Sequence, residues 1–68
     1  MNTVREIHHR YVAKVWRKGE DLYTKFEDDD RNRLIERSHI AAKTIRSIRR
    51  IVVEDRDGEY KDEEICPE

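Results

Sequence analysis

Four basic side chains in the second half of the chain recur at the spacing of one helix face. His39, Lys43, Arg46 and Arg50 follow intervals of 4, 3 and 4 residues, which on an α-helix places them on a strip about 60° wide. Lysine and arginine bind phosphate oxygens, and arginine does so through a bidentate fork. The spacing therefore predicts a site for nucleic acid or another anionic ligand. The competing interpretation is a solvated face whose aliphatic stems cover the edge of the core.

A partly aromatic stripe in the first half of the chain is a second candidate site. Val12, Trp16, Gly19 and Tyr23 also follow intervals of 4, 3 and 4 residues. On one helix they lie about 100° from the main apolar stripe, so a single antiparallel partner helix cannot cover both. We therefore expect an interface, with Trp16 and Tyr23 as anchors and Gly19 permitting close approach. The alternative is one wide core face with Trp16 partly exposed.

Few residues of the chain suit catalysis or metal binding. The single cysteine, Cys66, lies beside Pro67 near the end of an acidic segment, without the positioned base that a nucleophile needs. His8 and His9 are adjacent, so on a helix they point about 100° apart and do not converge on one metal ion. We expect no enzyme activity and no bound cofactor or metal ion.

The net charge of −1 conceals blocks of opposite charge. Residues 31–53 carry seven basic and one acidic side chain, whereas residues 54–68 carry two basic and eight acidic ones. Such blocks bear on partners and electrostatic steering rather than on fold. Three interpretations of the acidic segment stay open: a solvated tail, a tail folded onto the basic helix, and an imitation of nucleic acid toward another protein.

Length and composition favour a single small domain that gains burial from a partner. The chain has 68 residues, of which 46% are charged and 35% hydrophobic. A chain of this size buries only about 60% of its unfolded surface. One cysteine cannot form an internal disulfide bond. We therefore expect a homo-oligomer.

The apolar spacing of the first half predicts one long helix from about 3 to 26. Thr3 and Glu6 have the spacing of a capping box. The apolar stripe keeps its phase across Gly19, although a helix end at the "RKG" sequence is the alternative. The stripe consists of Val4, Ile7, Tyr11, Val15, Leu22 and Phe26.

The second half predicts a second helix from about 30 to 53, followed by an acidic tail. The acidic run Glu27–Asp30 contains three candidate aspartate N-caps and suits a helix N-terminus. Residues 54–68 are either a mobile tail or part of a short β-hairpin around the turn signal "DRDG". The apolar positions of the helix repeat as a heptad seam, formed by Leu34, Ser38, Ala41, Ile45, Ile48 and Val52.

These elements together predict an all-α fold. The expected architecture is an antiparallel two-helix hairpin over residues 1–53 that dimerises into a four-helix bundle, with residues 54–68 as an acidic C-terminal tail. The expected function is that of a small non-enzymatic regulator, adaptor or inhibitor that binds another protein. Binding of nucleic acid or an anionic ligand by the basic face is the alternative. Because the sequence shows no secretion signal and no membrane-spanning apolar run, we expect a cytoplasmic protein without a membrane partner.

Overall fold

The computed structural model describes residues 9–67 and folds them into an antiparallel sheet with one helix on its inner face. The sheet order is β2-β1-β3-β4, and each pair of neighbouring strands is antiparallel. The elements are β1 (Tyr11–Arg17), β2 (Tyr23–Asp28), α1 (Arg31–Thr44), β3 (Ile48–Asp55) and β4 (Glu63–Ile65).

The first two strands form a hairpin because both are rich in β-branched and aromatic residues and are separated by a glycine-containing turn. Gly19 has a φ of +78°, a conformation that glycine adopts without the steric cost of a side chain. Trp16 and Tyr23 are directly opposite each other on the two strands. The hairpin is short and local, and it gives the sheet one of its two edges.

The helix α1 begins where the sequence predicts an aspartate cap. Asp30 accepts a hydrogen bond from the backbone N–H of Arg33 at 3.1 Å, which satisfies one free donor of the first turn. At the other end, the N–H of Ile45 donates to the carbonyl of Ala41 at 2.8 Å. The backbone of Ile45 itself is extended, with φ −104° and ψ 103°, so the helix ends after 14 residues and the chain turns back into β3.

The core lies between α1 and one face of the sheet. Side chains alternate across a strand, so Tyr11, Ala13 and Val15 of β1 point toward α1. Leu34 of α1 and Ile51 of β3 have no exposed surface. The buried cluster consists of Tyr11, Ala13, Val15, Leu34, Ala42, Ile48, Ile51, Val53 and Ile65.

The predicted all-α hairpin is wrong, and with it the helices at about 3–26 and 30–53 and the four-helix bundle. Residues 11–17 and 23–28 are strands, and residues 48–55 form a third strand where the second helix was expected to continue. The β-branched run Ile51–Val53 fits a buried strand. Residues 3–8 of the predicted first helix, with the Thr3–Glu6 capping pair, lie outside the described residues.

Two leucines separate the observed fold from the predicted hairpin, because the hairpin would bury both. Leu34 is fully buried, whereas Leu22 is 84% exposed. We expect Leu34→Ala to lower the free energy of unfolding by about 2–5 kcal/mol and Leu22→Ala to change it by less than about 0.5 kcal/mol. Urea denaturation followed by Trp16 fluorescence measures both, and comparable large losses would contradict the fold.

Candidate anion-binding groove and aromatic surface

The four basic residues predicted to share a helix face are divided between two faces of the molecule. His39 and Lys43 lie on α1, and Arg46 lies in the turn that follows it. Arg50 belongs to β3, where its Nε is 3.0 Å from Oε1 of Glu64 and its guanidinium lies 5.1 Å from the ring centroid of Trp16. Because α1 ends at Thr44, the helical spacing that linked Arg50 to the others does not apply.

Two other cations take the place of Arg50 beside Lys43 and Arg46. Lys18 is held at the start of the first turn, because its backbone N–H donates to the carbonyl of Ser47 at 2.7 Å. Arg49 is the second residue of β3. The four side chains surround a surface groove of about 480 Å³, which we call the basic groove. Its lining residues are Lys18, Ala42, Lys43, Arg46, Ile48, Arg49 and Pro67.

The four cations of the basic groove form no ion pair with a carboxylate within residues 9–67. Arg49 donates instead to the backbone carbonyls of Arg17 and Glu20, at 3.3 and 3.2 Å. Elsewhere in residues 9–67, every arginine except Arg17 is matched with a carboxylate; Arg17 donates instead to Oγ of Ser47 at 3.2 Å. Those with a carboxylate partner are Arg10, Arg31, Arg33, Arg37, Arg50 and Arg56.

A second hollow of about 670 Å³ adjoins the basic groove and shares Ala42, Lys43 and Pro67 with it. His39 and Cys66 line this hollow. The pKa of the Cys66 thiol is raised, mainly by desolvation and secondly by the contact of its Sγ with Glu64 at 3.5 Å. A thiol with a raised pKa stays protonated near neutral pH and is a weak nucleophile.

The aromatic residues predicted as anchors meet on the outer face of the sheet. The ring centroids of Trp16 and Tyr23 are 5.2 Å apart and the rings are tilted by 52°, a favourable aromatic geometry. The Lys14 ammonium lies 5.1 Å from the Tyr23 centroid. Tyr23 is 46% exposed and the adjacent Leu22 84%. We call Trp16, Leu22 and Tyr23 the aromatic surface.

The other two members of the predicted interface contribute differently from what was expected. Val12 faces the same side of the sheet as Trp16 but is only 5% exposed. No neighbouring segment packs closely against Gly19, because a Cβ placed there would meet nothing within 4 Å. Its positive φ serves the turn of the β1–β2 hairpin.

The end of the molecule opposite the basic groove carries a network of buried carboxylates. Asp28 receives two guanidinium hydrogen bonds of 2.6 Å from Arg33, and these hold the pKa of its carboxyl well below the usual range. Asp55 is paired with Arg10 at 3.1 Å and accepts the backbone N–H groups of Asp57, Glu59 and Tyr60. The network fixes the turns at this end rather than presenting free charge.

The chain was compared with protein-family models, with curated proteins and with solved structures, and nothing matches it. The described part of the chain defines a small α+β protein with a helix packed on an antiparallel sheet.

Within residues 9–67, no group of three histidine, cysteine or acidic side chains is placed to hold a metal ion. His9 instead contacts Asp29 at 3.1 Å; His8 lies outside the described residues. No helix of the described part is long and apolar enough to cross a membrane.

Sequence reasoning missed Lys18 and Arg49 because their place in the groove depends on pairing between strands. Lys18 belongs to the turn after β1, and Arg49 to β3, some thirty residues later. A hairpin interpretation of the glycine-containing segment "RKGEDL" between two β-rich runs would have indicated the turn. No local pattern would have brought the turn beside Arg49.

Asp55 generates a prediction about acid stability. Hydrogen bonding from Arg10 lowers its pKa from 3.8 to about 2 in the folded protein. Because the folded pKa is depressed, the stabilisation is complete above the ordinary pKa and is lost as the pH falls from 3.8 toward about 2. We expect Asp55→Asn to lower the urea midpoint at pH 7 and to reduce the loss of stability over this acidic range.

Asp62→Asn, at an exposed position, is the control and should leave both the urea midpoint and the acid profile unchanged. An unaltered acid profile in Asp55→Asn would contradict the role of this pair.

Proposed function

We propose that the protein is a non-enzymatic binding protein whose basic groove holds the phosphate backbone of a nucleic acid. The observation that supports the proposal is the convergence of Lys18, Lys43, Arg46 and Arg49 on one groove without a carboxylate partner in the described part of the chain. Cations held close together repel one another, and an anionic ligand removes that cost.

The shape of the site favours a chain of phosphates over a single small anion. The basic groove adjoins the hollow that His39 lines, so an elongated ligand can follow α1 along both. Glu64 also lines this hollow, and its carboxylate is paired with Arg50 at 3.0 Å. Ala42, Ile48 and Pro67 supply an apolar floor between the cations. Arg46 and Arg49 offer planar forks for phosphate oxygens. Contacts of this kind position a nucleic acid without reading its bases, so we expect little sequence preference.

Lys43 allows the central test of this proposal. We expect Lys43→Glu to weaken binding of a fluorescein-labelled oligothymidylate of about 12 nucleotides by roughly tenfold at low salt. The slope of log K against log salt should also become shallower by about 0.7 for each lost phosphate contact. Fluorescence anisotropy over a salt series measures both quantities.

Lys61→Glu is the matched control, because Lys61 is exposed and does not line the basic groove, and the substitution changes the net charge equally. It should bind the oligonucleotide nearly as well as the wild type. Equal weakening by the two substitutions would mean that overall charge, and not the basic groove, governs the interaction. Wild-type binding by Lys43→Glu would also overturn the proposal.

The aromatic surface supports a second candidate function, the binding of a partner protein. In this second function the protein would act as a regulator, adaptor or inhibitor. Leu22 and Tyr23 are exposed near the turn of the β1–β2 hairpin, and Tyr23 packs beside Trp16. Tyrosine and tryptophan are frequent anchors of protein interfaces. Lys25 lies on the same outer face of β2 and forms no ion pair within the described residues. The surface therefore suits a partner with an apolar side chain next to a carboxylate.

Leu22→Ser and Lys43→Glu separate the two functions. A protein partner of the aromatic surface should survive nuclease treatment, be lost with Leu22→Ser and be retained with Lys43→Glu. Affinity capture followed by mass spectrometry compares these variants with the wild type. A protein captured equally by both variants is not held by the aromatic surface, and one lost on nuclease treatment is held through nucleic acid.

A further inference from the structure

The strand β2 leaves one edge of the sheet open. It comprises six residues, contains no proline and has no irregularity in its pairing with β1. No strand of residues 9–67 pairs with its outer side. The opposite edge, β4, has only three residues. A long regular edge carries a row of free N–H and C=O groups that can pair with another strand.

One hydrogen bond determines which residues of β2 direct their backbone groups outward. The N–H of Arg56 donates to the carbonyl of Arg10 at 2.9 Å, and this pair continues the register of β1 with β3. Even-numbered residues of β1 thus bond to β3, and odd-numbered ones bond to β2. Their partners in β2 are Thr24, Phe26 and Asp28. The backbone groups of Tyr23, Lys25 and Glu27 consequently point outward.

We propose that a second copy of this chain pairs with the open edge, β2 against β2 and antiparallel, with Phe26 opposite the partner's Phe26. Residues directly opposite each other share a face of the sheet, so only registers that match odd with odd and even with even positions are allowed. Several such registers exist, and they differ in the charges that they bring together.

Charge selects the register centred on Phe26. This register places Lys25 opposite the partner's Glu27, and Glu27 opposite the partner's Lys25. A shift that centres the pairing on residue 25 places Lys25 against the partner's Lys25. Opposite charges across a strand pair stabilise it and like charges destabilise it. Lys25 forms no ion pair within the described residues, whereas Glu27 contacts Arg56 through one carboxylate oxygen and keeps the other for a second cation.

The pairing would extend the four-stranded sheet across the two copies and place both α1 helices on the same face. Phe26 is half-buried and packs against the edge of the core beneath the guanidinium of Arg37. The partner's Phe26 would cover its remaining exposed surface, which gives a thinly packed chain more apolar burial. The basic groove is lined by Lys18, by α1 and the turn after it, by the start of β3 and by Pro67, and by no residue of β2, so the dimer leaves it open.

Charge reversal at the two facing positions tests the proposal. We expect the wild type to be a dimer at high micromolar concentration in sedimentation velocity. Lys25→Glu and Glu27→Lys should each be monomeric, because each places like charges opposite each other at both ends of the interface. An equimolar mixture of the two variants should form a heterodimer, since every facing pair is then opposite in charge. The double variant should dimerise with itself.

Two results of this experiment would overturn the proposal. One is a wild type that remains monomeric throughout the micromolar range. The other is a dimer that persists in both single variants. Recovery in the mixture also shows that the single variants are folded, so a loss of dimer in them cannot be a loss of structure.

Cysteine cross-linking tests the register itself. Residues 26 of the two copies would form a non-hydrogen-bonded pair with Cα atoms about 4.5 Å apart, within the range of about 4.4–6.8 Å that a disulfide bond requires. In a Cys66→Ser background, Phe26→Cys should cross-link on mild oxidation. Thr24→Cys should not, because the partner's Asp28 would face it. Faster cross-linking at residue 24 or 25 than at residue 26 would refute the register.

Discussion

Pairing of β1 along both of its edges is the constraint on which the remaining structure depends. β1 lies between β2 and β3 and pairs with both from Tyr11 to Trp16, and its inner side chains form the floor of the core. Ala13 has no exposed surface and lies opposite Phe26 on one side and Val53 on the other. A larger residue at this position would clash with a close-packed core. With β1 in the centre of the sheet, its inner side chains Tyr11, Ala13 and Val15 form the face that α1 covers.

The same pairing sorts the charges of the molecule. The start of β1, the end of β2 and the N-terminus of α1 share one end, where Asp28 and Asp55 are bound by arginines. The end of β1 and the C-terminus of α1 share the other end, where Lys18 and Lys43 both line the basic groove. The helix dipole favours acidic groups at its N-terminus and basic groups at its C-terminus. It accounts for one lysine in the last turn of α1 but not for four cations around one groove.

The sequence predicted the N-terminal half of the second helix well and the rest of the fold poorly. The aspartate cap and residues 31–44 of α1 were within the prediction because capping and helical periodicity are local signals. The stripe through Tyr11 and Val15 fits a helix, yet Tyr11, Ala13 and Val15 fit a strand equally well, and short apolar runs do not separate the two. The pairing of β1 with β3 joins residues about forty positions apart. No local pattern encodes it.

The candidate site shows the same division. Lys43 and Arg46 were identified, because they are close in sequence and lie on or just after a true helix. Arg50 was included for its helical spacing, and the strand turns it to the outer face beside Trp16. Trp16 and Tyr23 do meet, but as cross-strand neighbours rather than along one helix. The sequence thus indicated which residue types could bind a ligand, whereas long-range strand pairing determined which of these residues lie together.

Nuclear Overhauser contacts between backbone Hα protons test the central position of β1 most directly. Non-hydrogen-bonded pairs of antiparallel strands bring their Hα protons close together. The structure predicts strong Hα–Hα contacts between Lys14 and Lys25 on one side of β1 and between Ala13 and Val53 on the other. An unbroken series of sequential amide–amide contacts from Tyr11 to Phe26, without these cross-strand contacts, would indicate a continuous helix and contradict the fold.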